Sequence, residues 1–306
     1  MHAVTRLRAL LGISLFALAA PAVADEPVDV AGDDARVTVA FDQRPAMVYR
    51  FGDVAFKPYV EQLYTPGGVQ VLRDAPHDHL HHHALMFALA ADGVDFWSEN
   101  PQCGKQTHTD RPQIAQSTVG GGCSGDLLWT TPDGARTLLR ERRSIQTTRL
   151  TDPAVTLVDW RSALRPAEGS ESVALSGSHY FGLGMRFVQS LDTGGRFYNS
   201  SDSEGEVVRG QERLIRATWC AYTAAVDGKR VTVAMFDHPD NRRHPAHFFT
   251  MTGHFAYLAT TMNLWREPLT LTADAPLALR YGVALWDGTP TTEQVESVCQ
   301  TWVKSP

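Results

Sequence analysis

Apolar and polar residues alternate in short runs along most of the chain, the period-two pattern of strands that bury one face. The runs fall at residues 37–41, 47–51, 57–64, 69–72, 84–89, 127–131, 137–141, 144–150, 155–164, 179–187, 214–222, 230–236, 256–260 and 277–286. Turn residues separate them, among them Gln43-Arg44-Pro45 and Pro66-Gly67-Gly68. In the longer runs the faces can be assigned. Val155 and Leu157 oppose Thr156, Val158 and Trp160, while Leu279, Tyr281, Val283 and Leu285 share one side, as do Val231, Val233 and Met235. One segment has helical spacing instead. Thr291 with Gln294 three residues on reads as a capping box, and Val295, Val298, Cys299 and Trp302 follow on one helical face. Residues 98–125 are polar and Gly-rich, which predicts a long loop or rim insertion. Together these elements predict an all-β fold: a single large antiparallel β-sandwich or super-sandwich over residues 37–306, closed by a short C-terminal helix.

The beginning of the chain follows a different pattern. Arg6 and Arg8 precede an apolar segment from Leu10 to Ala20, and Ala22-Val23-Ala24 stands just before Asp25. That is the layout of a cleaved secretory signal peptide over residues 1–24, cut after Ala24, and it predicts a periplasmic or extracellular protein. Residues 25–36 are acidic and predict a flexible lead-in. No stretch is long enough to span a bilayer as a helix, so no transmembrane segment is expected in the mature protein. Removing the leader takes away two of 28 basic residues and none of 34 acidic ones, shifting the net charge from −6 to −8. Such a balance argues against nucleic acid and anionic lipid as partners. Four cysteines in an exported chain permit disulfides. Cys103 and Cys123 flank the Gly-rich loop, and a bridge closing it is one expectation. Cys299, on the apolar helix face, is expected as a buried free thiol, and Cys220 fits either state.

The densest chemistry is His77-Asp78-His79-Leu80-His81-His82-His83, which carries five of the 12 histidines and runs straight into an apolar segment. If that segment is a strand beginning inside the block, His81 and His83 share a side with Leu85 and Phe87, and His82 lies with Ala84 and Met86. His-x-His on a strand sets two imidazoles about 6.5–7 Å apart at the backbone, close enough to chelate one ion. His79, His81 and His83 fit that spacing for a divalent transition metal such as zinc, copper or iron. The same imidazoles also suit metal-free acid/base work or contacts to sugar hydroxyls, with His79, His81 and His82 as the candidates.

A second group is Asp237-His238, at a strand end before a proline turn, where a carboxylate and an imidazole suit an acid/base or orienting pair, or simply build the turn. His244, His247 and His254 follow as weaker candidates. Arg186 follows two strand glycines, Gly182 and Gly184, which mark a bulge or a close approach, and it can clamp a carboxylate or a vicinal diol. Trp97, Trp219, Tyr222 and Trp286 fit sugar stacking or the core. No nucleophile elbow, H-E-x-x-H helix, phosphate-binding loop or dinucleotide fingerprint is present.

Several blocks together resemble one family. They are Lys57-Pro58-Tyr59, Tyr64-Thr65-Pro66-Gly67-Gly68, Arg73-Asp74 with the histidine block, Asp95-Phe96-Trp97, Gly182-Leu183-Gly184-Met185-Arg186, Trp219-Cys220 and Phe236-Asp237-His238-Pro239. The resemblance is to the secreted bacterial family labelled methane oxygenase PmoA, a domain of unknown function. Leu80 stands where that pattern has Pro, and Ala84 where it has Gly. The resemblance implies an all-β domain found among sugar-degrading genes, with His79, His81, His82, Arg186, Asp237 and His238 as site residues; Tyr59 and Trp97 join Arg186 as expected substrate contacts. The expected activity is a carbohydrate-active enzyme on a small-molecule or carbohydrate substrate. The alternatives are a metal-dependent oxygenase or hydrolase and a non-catalytic glycan- or metal-binding module.

Overall fold

The computed structural model describes residues 27–306; the expected signal peptide lies outside them. Every pairing between its strands is antiparallel. One large sheet runs in the order Val28–Gly32, Arg36–Phe41, Arg44–Arg50, Tyr59–Leu63, Leu85–Ala88, Gly182–Arg186, Tyr257–Thr261, His247–Met251, Glu212–Arg216, Glu206–Arg209. The other runs Arg196–Asn199, Trp219–Val226, Lys229–Asp237, Leu277–Asp287, Ala154–Pro166, Thr137–Thr151, Gly120–Thr130, Lys105–His108, with Gln113–Gln116 also paired to Gly120–Thr130. A small third sheet joins Leu269–Thr272, Ser172–Ser176, Ala90–Ala91 and Val94–Asp95. The fold is the expected all-β sandwich with one short C-terminal helix.

Alternation decides which residues meet. Val39, Tyr49 and Leu183 of the first sheet and Trp129, Trp160 and Val283 of the second enter one continuous core. The opposite face of the second sheet contributes Val155, Leu157, Phe236, Ala284 and Trp286 to a separate cluster, which the helix Thr292–Lys304 covers with Val295, Val298, Cys299 and Trp302. The expected faces of these strands hold, because a period of two leaves no other assignment once both sides are buried. The capping box also forms: the Gln294 amide donates to Thr291 Oγ1 at 3.3 Å and the Thr291 amide to Gln294 Oε1 at 2.8 Å.

Three local expectations change. Residues 98–125 are not one loop, since Lys105–His108, Gln113–Gln116 and the start of Gly120–Thr130 are strands within them. The glycines hide this from a hydropathy pattern, yet they are required there: a Cβ on Gly120 or Gly122 would strike the carbonyls of Thr147 or Ile145 on the next strand. Within the expected lead-in, Val28–Gly32 form an edge strand paired with Arg36–Phe41, where ladder hydrogen bonds stand in for an apolar pattern. Finally, Cys103, Cys123, Cys220 and Cys299 are all buried free thiols, so no bridge closes residues 103–123. Cys123 instead packs into the main core.

Candidate active site

The histidine block is a double turn and not the start of a strand. His79 N donates to the Pro76 carbonyl, His82 N to the His79 carbonyl (both 2.9 Å) and Ala75 N to the His82 carbonyl at 3.0 Å. A bridge between Asp74 and His83 closes it. Ala84 then takes a left-handed φ of 40° before the strand Leu85–Ala88 begins, a conformation glycine would adopt at less cost. The turn replaces the expected period of two with one of three. His79 and His82 therefore stack, with ring centroids 4.6 Å apart, and His81 joins them at 4.6 Å from His82 and 5.7 Å from His79.

His83 points away from this trio. Its Nδ1 lies 2.6 Å from Asp74 Oδ1 and its Nε2 3.1 Å from Glu99 Oε2. With both ring nitrogens engaged by carboxylates, it does not join His79 and His81 as the expected metal triad. Among the described residues, no group of three or more His, Cys, Asp or Glu side chains is arranged to hold a metal ion. Tyr59 stacks on His83 at 4.4 Å and donates to Asp74 Oδ2 at 2.9 Å. Lys57, fully buried, donates to Glu99 Oε1 at 2.6 Å and to the Trp97 carbonyl at 2.8 Å. Tyr59 thus belongs to a paired charge network and is not among the residues lining the cleft described next.

The trio faces a cleft of about 1160 Å³. Its walls include the aromatic rings of Trp97, Tyr180, Phe249, Phe255 and Tyr257 and the polar side chains of Asp78, Arg209 and Glu212. Asp78 links cleft to core: its Oδ2 is 3.1 Å from His79 Nδ1 and accepts from Arg186 Nη2, also at 3.1 Å. Burial alone would raise the Asp78 carboxyl, but the His79 hydrogen bond and the Arg186 charge outweigh it and hold it at about 2. Burial, followed by the neighbouring imidazoles His81 and His79 and the charge of Arg186, pushes His82 down to about 2, so it stays neutral. Burial likewise lowers His81. On the opposite wall Glu212 accepts from Arg209 Nη2 at 2.7 Å and faces His179 Nε2 at 3.3 Å.

Arg186 is 2% exposed and lies beneath the cleft surface, behind Asp78, with its guanidinium 3.5 Å from the Phe255 ring centroid. The glycine before it in the same strand is needed for space, because a Cβ on Gly184 would strike the Tyr257 hydroxyl and the Trp97 ring. Asp237 and His238 are not among the cleft residues. Asp237 accepts from Asn241 Nδ2 at 2.7 Å and the Ala246 amide at 2.8 Å, with His244 Nδ1 at 2.7 Å, which builds the turn after its strand. His238 packs edge-on against Trp302. Trp219, Tyr222 and Trp286 are core residues. Tyr180, Glu212, Phe255 and Tyr257 escaped the sequence reading because nothing in their local pattern separates them from ordinary strand and loop residues.

Residues 36–300 match the family described as a family of unknown function (DUF6807), and the chain belongs to that family. No curated protein sequence matches it. Among solved structures it is similar to the GH36 α-galactosidase AgaB from Geobacillus stearothermophilus, at 9% identity and a TM-score of 0.48, covering 90% of this chain and 42% of that one. It is also similar to the α-galactosidase from Lactobacillus brevis, at 9% identity and a TM-score of 0.42, covering 92% and 41%. The chain spans less than half the length of either.

Proposed function

We propose that this DUF6807 protein is an exported carbohydrate-directed enzyme whose acid/base group is His79, oriented by Asp78. The observation that carries the reading is the Asp78–His79 pair on the wall of an aromatic-lined cleft. Aromatic faces suit the apolar faces of sugar rings, and Arg209 and Glu212 suit their hydroxyls. With Nδ1 turned to Asp78, His79 keeps Nε2 for the substrate. The His79 hydrogen bond and the Arg186 charge keep Asp78 ionised, and the carboxylate in turn fixes the orientation of the His79 ring. Neutral His82 stacks on His79 and adds no competing positive charge. The chemistry this supports is proton transfer at a sugar hydroxyl or at an acidic sugar C–H.

The test is an activity screen of the mature protein on a panel of oligosaccharides, with His79→Asn in parallel. Turnover of at least one substrate, lowered roughly 10²–10⁴-fold in the variant, is the expected result. Equal turnover by both proteins would remove His79 from the chemistry. Binding without any conversion would make the protein a glycan-binding module.

A further inference from the structure

The floor just beneath the cleft surface holds polar atoms that nothing among the described residues satisfies. Arg186 Nε and Nη1, Trp97 Nε1, Tyr257 Oη and His82 Nδ1 are all buried without a hydrogen-bond partner. They belong to four side chains that are each more than nine-tenths buried. They also converge. Arg186 and Tyr257 are cross-strand partners, so their side chains leave the same face of the sheet. The Tyr257 ring lies 5.1 Å from His82 and 6.1 Å from Trp97, and His82 lies 6.4 Å from Trp97. A buried polar group left unmet costs about 1–3 kcal/mol, so a cluster of them calls for an explanation.

The set is rich in donors, since an indole N–H and a guanidinium accept nothing. The nearby carboxylates leave these atoms unmet: Asp78 reaches His79 and only Nη2 of Arg186, Asp192 lies 3.9 Å from that same Nη2, and Glu212 is taken by Arg209 and His179. What the floor lacks is therefore an acceptor. We propose that it receives a carboxylate of the substrate, so that the sugar this cleft takes is an acidic one carrying a uronate unit. A carboxylate offers four lone-pair positions to these donors and forms charge-assisted bonds with Arg186, which a neutral hydroxyl cannot match. The proposal rests on the carbohydrate reading above. Phe255 lies over the guanidinium and also lines the cleft. It is carried by residues 252–256, between the strands His247–Met251 and Tyr257–Thr261, where Gly253 has φ 108°. In this proposal the Phe255 ring turns aside to admit the carboxylate to Arg186.

Calorimetry with a matched pair of ligands, a neutral hexose oligomer and its uronate counterpart, tests this. The uronate is expected to bind at least about tenfold more tightly, with a margin that narrows as salt is raised. Arg186→Gln is expected to abolish the preference, bringing uronate affinity down to that of the neutral oligomer. Tyr257→Phe, which keeps the ring and removes only the hydroxyl, reduces the preference and guards against misfolding of the first variant. Equal binding of the two oligomers, or a preference that survives both variants, overturns the carboxylate and leaves the carbohydrate reading intact. Binding of neither oligomer overturns both.

Discussion

Two buried arginines in this molecule face opposite situations. Arg143, 1% exposed, sits inside the sandwich with every nitrogen partnered. Its Nε and Nη2 donate to the two oxygens of Glu141, each at 2.8 Å, and Nη2 also donates to Gln106 Oε1 at 2.9 Å. Nη1 reaches the Tyr49 hydroxyl at 3.4 Å and the Pro58 carbonyl at 3.3 Å. Glu141 is held in turn by Trp129 Nε1 and the Ser162 hydroxyl. Arg186, 2% exposed and beneath the cleft surface, makes one side-chain hydrogen bond among the described residues, to Asp78, and leaves two nitrogens unmet. The Arg143 charge is satisfied within the fold, whereas that of Arg186 is met only in part, and it is there that the proposed carboxylate would bind.

Four measurements beyond the His79 screen test the difference between Arg143 and Arg186 and the surroundings of the cleft. The largest expected effect on stability is at Arg143. Arg143→Met leaves Glu141 buried without its counter-charge and should cost about 3–5 kcal/mol in urea denaturation. Arg186→Gln removes one bonded partner and should cost less, about 1–2 kcal/mol. Equal losses at the two sites would erase the distinction. Gly184→Ala comes next. The added methyl meets the Tyr257 hydroxyl and the Trp97 ring, so about 1–3 kcal/mol of overpacking is expected, with sugar affinity falling alongside stability. Unchanged affinity would detach the cleft floor from ligand binding. The uronate preference at Arg186, set out above, tests the same floor directly.

The smallest effect is a pH dependence in which adjacent histidines act in opposite directions. Burial works against the charged form of His83, but its hydrogen bonds to the Asp74 and Glu99 carboxylates prevail, so its folded value is raised. Its contribution to stability is therefore complete below the unfolded value, about 6.5, and is lost as pH rises through the raised folded value. His82 is depressed, chiefly by burial, so the unfolded chain takes up a proton near pH 6.5 while the folded one stays neutral. Its burial thus costs stability as pH falls below about 6.5. Melting temperatures between pH 5 and 8 should show His82→Gln less acid-sensitive than the parent and His83→Gln more so. Parallel shifts in the two variants would contradict the opposed environments of these neighbours.

Much of the architecture was legible without coordinates because strand and helix periods are local. A residue two positions on faces the same side of a strand whatever the rest of the chain does, which is why Val155, Trp160, Tyr281 and Val283 were assignable, and why Thr291 and Gln294 announced the helix. The histidine block was legible as a site for its composition alone. Its geometry was not. Whether the block was a strand or a turn decided which imidazoles meet, and the closing hydrogen bonds involve the Asp74–His83 bridge and the backbone of Pro76, which no hydropathy pattern contains. The cleft itself depends on the order of strands in the sheet. That order sets Gly182–Arg186 beside both Leu85–Ala88 and Tyr257–Thr261, and so brings Asp78, Arg186 and Tyr257 together from distant parts of the chain. Strand class, buried faces and the histidine-bearing segment follow from residues that are neighbours in the chain, and so could be read from their order. That His83 joins a buried charge network, that Asp237 and His238 build a turn and that Arg186 lies partly unmet beneath the cleft follow from contacts between distant strands, which the fold alone sets.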